Sequence, residues 1–150
     1  MIRYLVRIPV LYQLAAFLTA KRVVVRGRSM LPALEPGERV LFDRLAYMLD
    51  EPRMWDLVLA RHPARPGVRM IKRVAALPGE DAPRRDGPQA RLVGAPNTDV
   101  LDSGEYWLLG DNAEESTDSR VLGAFRREDI VARGWVVYWP AERVRVIGRP

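Results

Sequence analysis

Short runs of β-branched and aromatic residues, each closed by a Pro, Gly or Asp turn, set the limits on what this chain can fold into. They are Arg22–Val25, Arg39–Asp43, Leu57–Arg61, Met70–Leu77, Tyr106–Leu109, Trp135–Trp139 and Val144–Ile147. Runs this short and this rich in Val, Ile and aromatics read as strands rather than helices. The 12 Pro and 11 Gly that separate them suit many turns better than a bundle. No unit repeats at a period that would build a solenoid. The expectation is a mainly β fold of antiparallel sheets, with single helical turns at Leu45–Leu49 and Arg126–Val131. A length of 150 residues, 48% of them hydrophobic, supports one domain with a core of its own. Asp81–Gly104 is rich in Pro, Gly, Asp and Arg and reads as an exposed loop or short hairpin inserted in that domain.

The first 20 residues differ from the rest. They are apolar, with Arg3 and Arg7 the early charges and Pro9 inside the run. The uncharged stretch Ile8–Ala20 falls short of the ~20 residues of a full span, although an Arg near a helix end can snorkel. Three readings are open: a membrane anchor or interfacial helix, a cleaved leader, and an amphipathic helix packed on the domain's own core. Lys21-Arg22 stands where a mature chain would begin after a leader, and cleavage there would leave Ser29 close to the new terminus. A membrane-associating helix over 1–21, followed by a catalytic domain over 22–150, is the preferred division. Arg3 and Arg7 balance Lys21 and Arg22, so charge bias sets no orientation.

Composition removes several classes of chemistry. With no Cys and a single His, the chain has no thiol nucleophile, no disulfide framework and no Cys/His zinc set. No metal and no cofactor is expected. The net charge of +5 favours anionic partners. The arginines are scattered, without the dense basic run or the motifs of nucleic-acid binders, so a membrane surface fits better than nucleic acid.

The candidate nucleophile is Ser29, in Arg26-Gly27-Arg28-Ser29-Met30-Leu31-Pro32. It lies where the Val23-Val24-Val25 run gives out, before the turn Glu35-Pro36-Gly37-Glu38. An ordinary turn serine is the alternative. A Ser hydroxyl needs a base, and His62, in Arg61-His62-Pro63, reads as a solvated loop residue. Lysine is the other source, because Arg stays protonated. Only Lys21 and Lys72 are present. Lys21 borders the apolar segment. Lys72 sits among Met, Ile, Val and Ala, where strand alternation points it into apolar surroundings that favour the neutral amine. A guard lysine on an edge strand is the alternative for Lys72.

Three stretches in order resemble the type I signal peptidases, also called leader peptidases. They are Arg26–Pro32, Met70–Glu80 and Gly110-Asp111-Asn112-Ala113-Glu114-Glu115-Ser116-Thr117-Asp118-Ser119-Arg120 with Gly123. The resemblance runs from Val23 to Pro140 and implies coiled antiparallel sheets of the kind shared with repressor-cleavage domains. It implies a serine endopeptidase with Ser29 as nucleophile and Lys72 as general base. It also implies that Ser116 hydrogen-bonds and orients Lys72, that Asp118 and Arg120 pair, and that Asp111 partners Arg73. Met30 and Pro32 are expected to border the substrate groove. The implied substrate is a leader or pro-segment of an exported or maturing precursor. The implied setting is a cell membrane, with the catalytic domain on the extracytoplasmic side. The compact chain is also similar to the superoxide dismutase maturation proteases.

Three positions depart from the family's pattern. Trp55 precedes Asp56 where Gly is usual, so a tight turn is expected to be rebuilt. Arg28 replaces a small residue before the nucleophile. Gly27 stands where some members carry a hydroxyl that helps hold the oxyanion, leaving that work to the Ser29 backbone N–H. Two other functions compete: a self-cleaving repressor-type Ser–Lys domain, and a non-enzymatic membrane-surface module. The first needs an upstream scissile site and a DNA-binding module, and the residues before Ser29 are few and apolar.

Overall fold

The computed structural model describes residues 2–83 and 98–148. Helix α1 (Ile2–Thr19) leads into strand β1 (Lys21–Val24), then β2 (Arg39–Asp43), a single helical turn α2 (Ala46–Leu49), β3 (Leu57–Arg61) and β4 (Arg69–Ala76). Next come β5 (Asp81–Pro83), β6 (Thr98–Val100), β7 (Glu105–Leu109), α3 (Ser119–Leu122), β8 (Phe125–Arg126), β9 (Ile130–Trp139) and β10 (Arg145–Val146). One sheet runs in the order β1-β2-β9-β3-β4-β7-β8, with β10 on β9, and every pairing is antiparallel.

The central strands of the sheet are buried on both faces. On β3, Leu57 and Leu59 face one core with Val25, Met30, Leu34, Phe42 and Val137. Val58 and Ala60 face a second core with Val74, Leu108, Phe125 and Ile130. This explains why β3 reads as a continuous apolar run rather than an alternating one. Register shifts between β2 and β9, between β3 and β9, and between β4 and β7 mark irregularities of the kind that increase local twist.

Strand and helix expectations meet the structure within a residue or two at most positions. Arg126–Val131 is the exception. The helical turn is confined to Arg127–Asp129, and Ile130 already belongs to β9. β9 is longer than its apolar run suggests because it pairs with β2 and β3, and those ladders hold Ile130–Gly134 extended. Within Asp81–Gly104, Asp81–Pro83 pairs with Thr98–Val100 as the base of a hairpin, and positions 84–97 lie outside the described residues. The turn at Trp55 is kept rather than rebuilt, with Trp55 itself at φ 69°.

α1 carries two kinds of surface in its second half. Ala16 is buried, and the Tyr12 hydroxyl donates to Asp43 at 2.5 Å, which docks the helix on β2. Val10, Leu11, Leu14, Phe17 and Leu18 are exposed. No described helix is long and apolar enough to cross a membrane.

Candidate active site

Ser29 stands at the end of a segment that the core holds firmly. Val25 and Met30 on either side of it are buried in the first core. The Val25 N–H donates to Glu38 O at 2.8 Å, and Gly37 N–H donates to Val25 O at 2.9 Å. Glu38 is itself buried and is gripped by Arg145 at 2.7 and 3.0 Å. Burial works to raise the Glu38 carboxyl, but the hydrogen bonds from Arg145 and the Glu35 N–H hold it below the ordinary range. Ser29 is thereby carried on a rigid element while its side chain remains partly accessible.

Lys72 comes from β4, where strand alternation places it on the face shared by Val74 and Ala76. It is 3% exposed, and its Nζ lies 3.1 Å from Ser29 Oγ. Burial lowers its pKa from the ordinary lysine value, with Arg120 acting in the same direction and the Asp118 and Asp111 carboxylates opposing. A neutral amine within hydrogen-bond reach of a hydroxyl can take its proton.

The loop after β7 joins these two elements. Asn112 donates its N–H to Ser29 O at 2.9 Å and its side-chain amide to Arg28 O at 3.1 Å. Asp111 receives Arg73 in a two-point pair at 2.8 and 2.7 Å, and Arg73 also donates to Trp55 O at 3.0 Å. Gly110 has no space for a side chain: a Cβ there would stand 2.6 Å from Ser29 O and 2.1 Å from Ser116 Oγ.

Asp118 fixes that loop from behind. Fully buried, it accepts from Gly110 N–H at 2.9 Å, from Ser116 Oγ at 2.7 Å and from Arg120 at 2.9 and 2.6 Å. Burial pushes its carboxyl up, and these donors outweigh that and keep it below the usual carboxylate range. The resemblance implied a hydrogen bond between Ser116 and Lys72. Instead the Ser116 hydroxyl donates to Asp118, because Gly110 lets it approach that carboxylate closely. Lys72 has its hydrogen bond to Ser29.

Met30 lines the groove beside Ser29, whereas Pro32 is exposed and is not part of the groove's lining. His62 accepts from the Ala64 N–H in its own loop. The sequence pointed to Asp111 as a partner of Arg73 but not to the roles of Gly110, Asn112 and Glu38. An Asn two residues after a Gly is the one local sign available, since Asn amides commonly bind nearby backbone.

The groove itself, about 750 Å³, lies between β1 and the first half of β4. Among the described residues, β1 pairs only with β2, and β7 pairs with β4 only from Arg73 onward. Two unpaired strand edges therefore line one channel whose wall includes Ser29 and Lys72.

The sequence profile of the family described as signal peptidase, peptidase S26, matches residues 1–93 and 82–139. Signal peptidase I of Leptolyngbya laminosa is 28% identical over 148 residues, covering 84% of this chain and 72% of that protein. The probable signal peptidase I-1 of Synechocystis sp. is 30% identical over 163 aligned positions, covering 93% and 81%. The mitochondrial ATP-independent inner membrane protease subunit 1a of Arabidopsis thaliana is 34% identical over 120 residues, covering 79% and 70%. The matched region holds the strand-edged groove together with Ser29, Lys72 and the loop that joins them. The chain belongs to the signal peptidase family, peptidase S26, and is a peptide-bond hydrolase.

Proposed function

We propose that this protein is a Ser–Lys endopeptidase that removes leader or pro-segments from precursor proteins. The observation that carries the reading is the 3.1 Å approach of a buried Lys72 Nζ to Ser29 Oγ in a strand-edged groove. An extended substrate would lie in that groove and pair with the free edges of β1 and β4. Neutral Lys72 takes the Ser29 proton as Oγ attacks the scissile carbonyl. The oxyanion is held by the Ser29 N–H, which donates to no protein group among the described residues. Lys72 then gives its proton to the leaving amine, and an acyl-enzyme remains on Ser29. Water attacks this ester with Lys72 again as base, and Ser29 is restored. Asp111, Asn112, Ser116, Asp118, Arg73 and Arg120 act as positioning residues. This chemistry uses neither a metal nor a cofactor.

The relatives named for signal peptidase I and for an inner membrane protease support a membrane setting. In this reading α1 lies on the membrane, with Val10, Leu11, Leu14, Phe17 and Leu18 inserted and Tyr12 and Ala16 against the domain. The catalytic domain would face the extracytoplasmic side, where leaders emerge. The deciding experiment incubates the detergent-solubilised full chain with a panel of leader peptides and reads the products by mass spectrometry. Ser29→Ala should give no cleavage while keeping the wild-type melting temperature. Cleavage by Ser29→Ala at the same bond would overturn the assignment.

A further inference from the structure

The groove carries a charge pattern that the peptidase chemistry does not require. Its lining includes Lys21, Arg22, Arg26 and Arg69 in addition to Lys72, and no Asp or Glu. On β1 and its extension, Val23 and Val25 pack toward the core, while Arg22 and Arg26 alternate with them and are exposed. Arg69, the first residue of β4, is exposed on the opposite bank. Several arginines elsewhere are matched with carboxylates, among them Arg73 with Asp111, Arg120 with Asp118, Arg127 with Glu51 and Arg145 with Glu38. Among the described residues, Arg22, Arg26 and Arg69 have no carboxylate within ion-pair distance.

Unpaired cations on both banks of a channel raise the local concentration of negative charge there. These cations line the part of the channel that follows β1 from Ser29 back toward the end of α1. Only one flank of a bound peptide therefore lies against these cations. We infer that this peptidase selects precursors with acidic residues on the flank that occupies the groove, several positions from the scissile bond. This rests on the Ser–Lys reading and names the substrate class for the same site. Each acidic side chain gains a solvent-exposed pair with Arg22, Arg26 or Arg69. Such pairs are individually weak, so two of them should raise kcat/KM by about 3- to 10-fold.

The test uses the full chain and matched leader peptides that differ only by two Asp in place of two Asn. The pair is placed roughly four to seven residues before the bond in one set and after it in another, the reach of an extended strand at ~3.3 Å per residue. On one flank the Asp peptide should be cleaved with the higher kcat/KM, and the advantage should fade toward ~1 M NaCl. The ratio should fall toward unity in Arg22→Gln/Arg69→Gln. It should persist in Arg126→Gln, whose side chain is 77% exposed on β8, at the other end of the strand order. If the Asn peptides are cleaved and the ratio is unity on both flanks, this inference falls while the Ser–Lys reading stands. If no peptide is cleaved, both fall. If the double substitution weakens binding to phosphatidylglycerol vesicles yet leaves the Asp/Asn ratio unchanged, the cations serve lipid headgroups and the inference is overturned.

Discussion

Asn112 holds the two peptide units that flank Ser29, its N–H on Ser29 O at 2.9 Å and its amide on Arg28 O at 3.1 Å. Its neighbour Asp111 is bound to Arg73, which adjoins Lys72 on β4. Two consecutive residues thus hold both halves of the proposed dyad, and the Ser29–Lys72 spacing depends on one short loop. Asn112→Ala should lower kcat by about 10- to 100-fold, since small misplacement of a reacting group is costly. KM should stay near wild type, and stability should drop by only ~1 kcal/mol for the lost hydrogen bond. Equal losses in kcat and in thermal stability would make Asn112 a folding residue instead. Steady-state kinetics beside calorimetry decides.

Trp55 occupies the left-handed region at φ 69°, where a Cβ is strained. The turn survives because its backbone is fastened: Trp55 N–H donates to Val74 O at 2.9 Å and Trp55 O accepts from Arg73. Two ladder-side bonds outweigh the cost of one strained residue. At this position Gly should therefore be better than Ala by about 1 kcal/mol, the reverse of their order in regular structure. Denaturant unfolding of Trp55→Gly and Trp55→Ala checks the order. Ala equal to or more stable than Gly would show that the side chain, not the backbone angle, governs this turn.

Much of the fold was legible because strand periodicity and turn residues are local properties. β2 and β3 have the bounds their apolar runs suggest, and Lys72 points inward as alternation requires. The extension of β9 to Ile130 was not legible, since it is imposed by partners far away in sequence. The same holds at the site. A strand-end Ser and an apolar-flanked Lys can be picked out singly, but only tertiary packing brings them to 3.1 Å. The Ser116 hydroxyl turning to Asp118 follows from the closeness that Gly110 permits, which no residue pattern announces.

Asp118 sets a pH dependence on stability. Burial works to raise its carboxyl, but the donors from Arg120, Gly110 and Ser116 keep the folded-state value below the ordinary one. A depressed carboxyl contributes stability that is complete above the unfolded value of ~3.9 and is lost as pH falls below it. Asp118→Asn should cost about 3 kcal/mol at pH 7, because Arg120 and the Gly110 N–H lose a buried anionic partner. It should also flatten the acid limb of the stability curve. Ser116→Ala removes one of those donors and should cost about 1 kcal/mol. Urea unfolding from pH 7 to pH 3 measures all three proteins. An acid limb unchanged in Asp118→Asn would assign the acid sensitivity to Glu38, the other depressed buried carboxyl.

Lys72 should show activity and stability pulling in opposite directions. Burial favours its neutral form, so its folded pKa lies below the ~10.4 of a free lysine. At pH 7 the unfolded chain therefore binds the proton more tightly, and stability should rise with pH from the folded pKa toward ~10.4. Lys72→Met keeps the aliphatic bulk and removes the amine. It should abolish cleavage while raising stability at pH 7 by about 1 kcal/mol and removing that alkaline rise. Lys72→Arg keeps a charge but cannot release a proton near neutrality, so it too should be inactive, and the buried guanidinium should destabilise the fold. In wild type, kcat/KM should rise with pH through a single ionisation below ~10.4, that of Lys72 in the free enzyme. A neutral-pH activity in Lys72→Arg approaching wild type would mean that another group accepts the Ser29 proton. The 3.1 Å contact would then be electrostatic support rather than base catalysis.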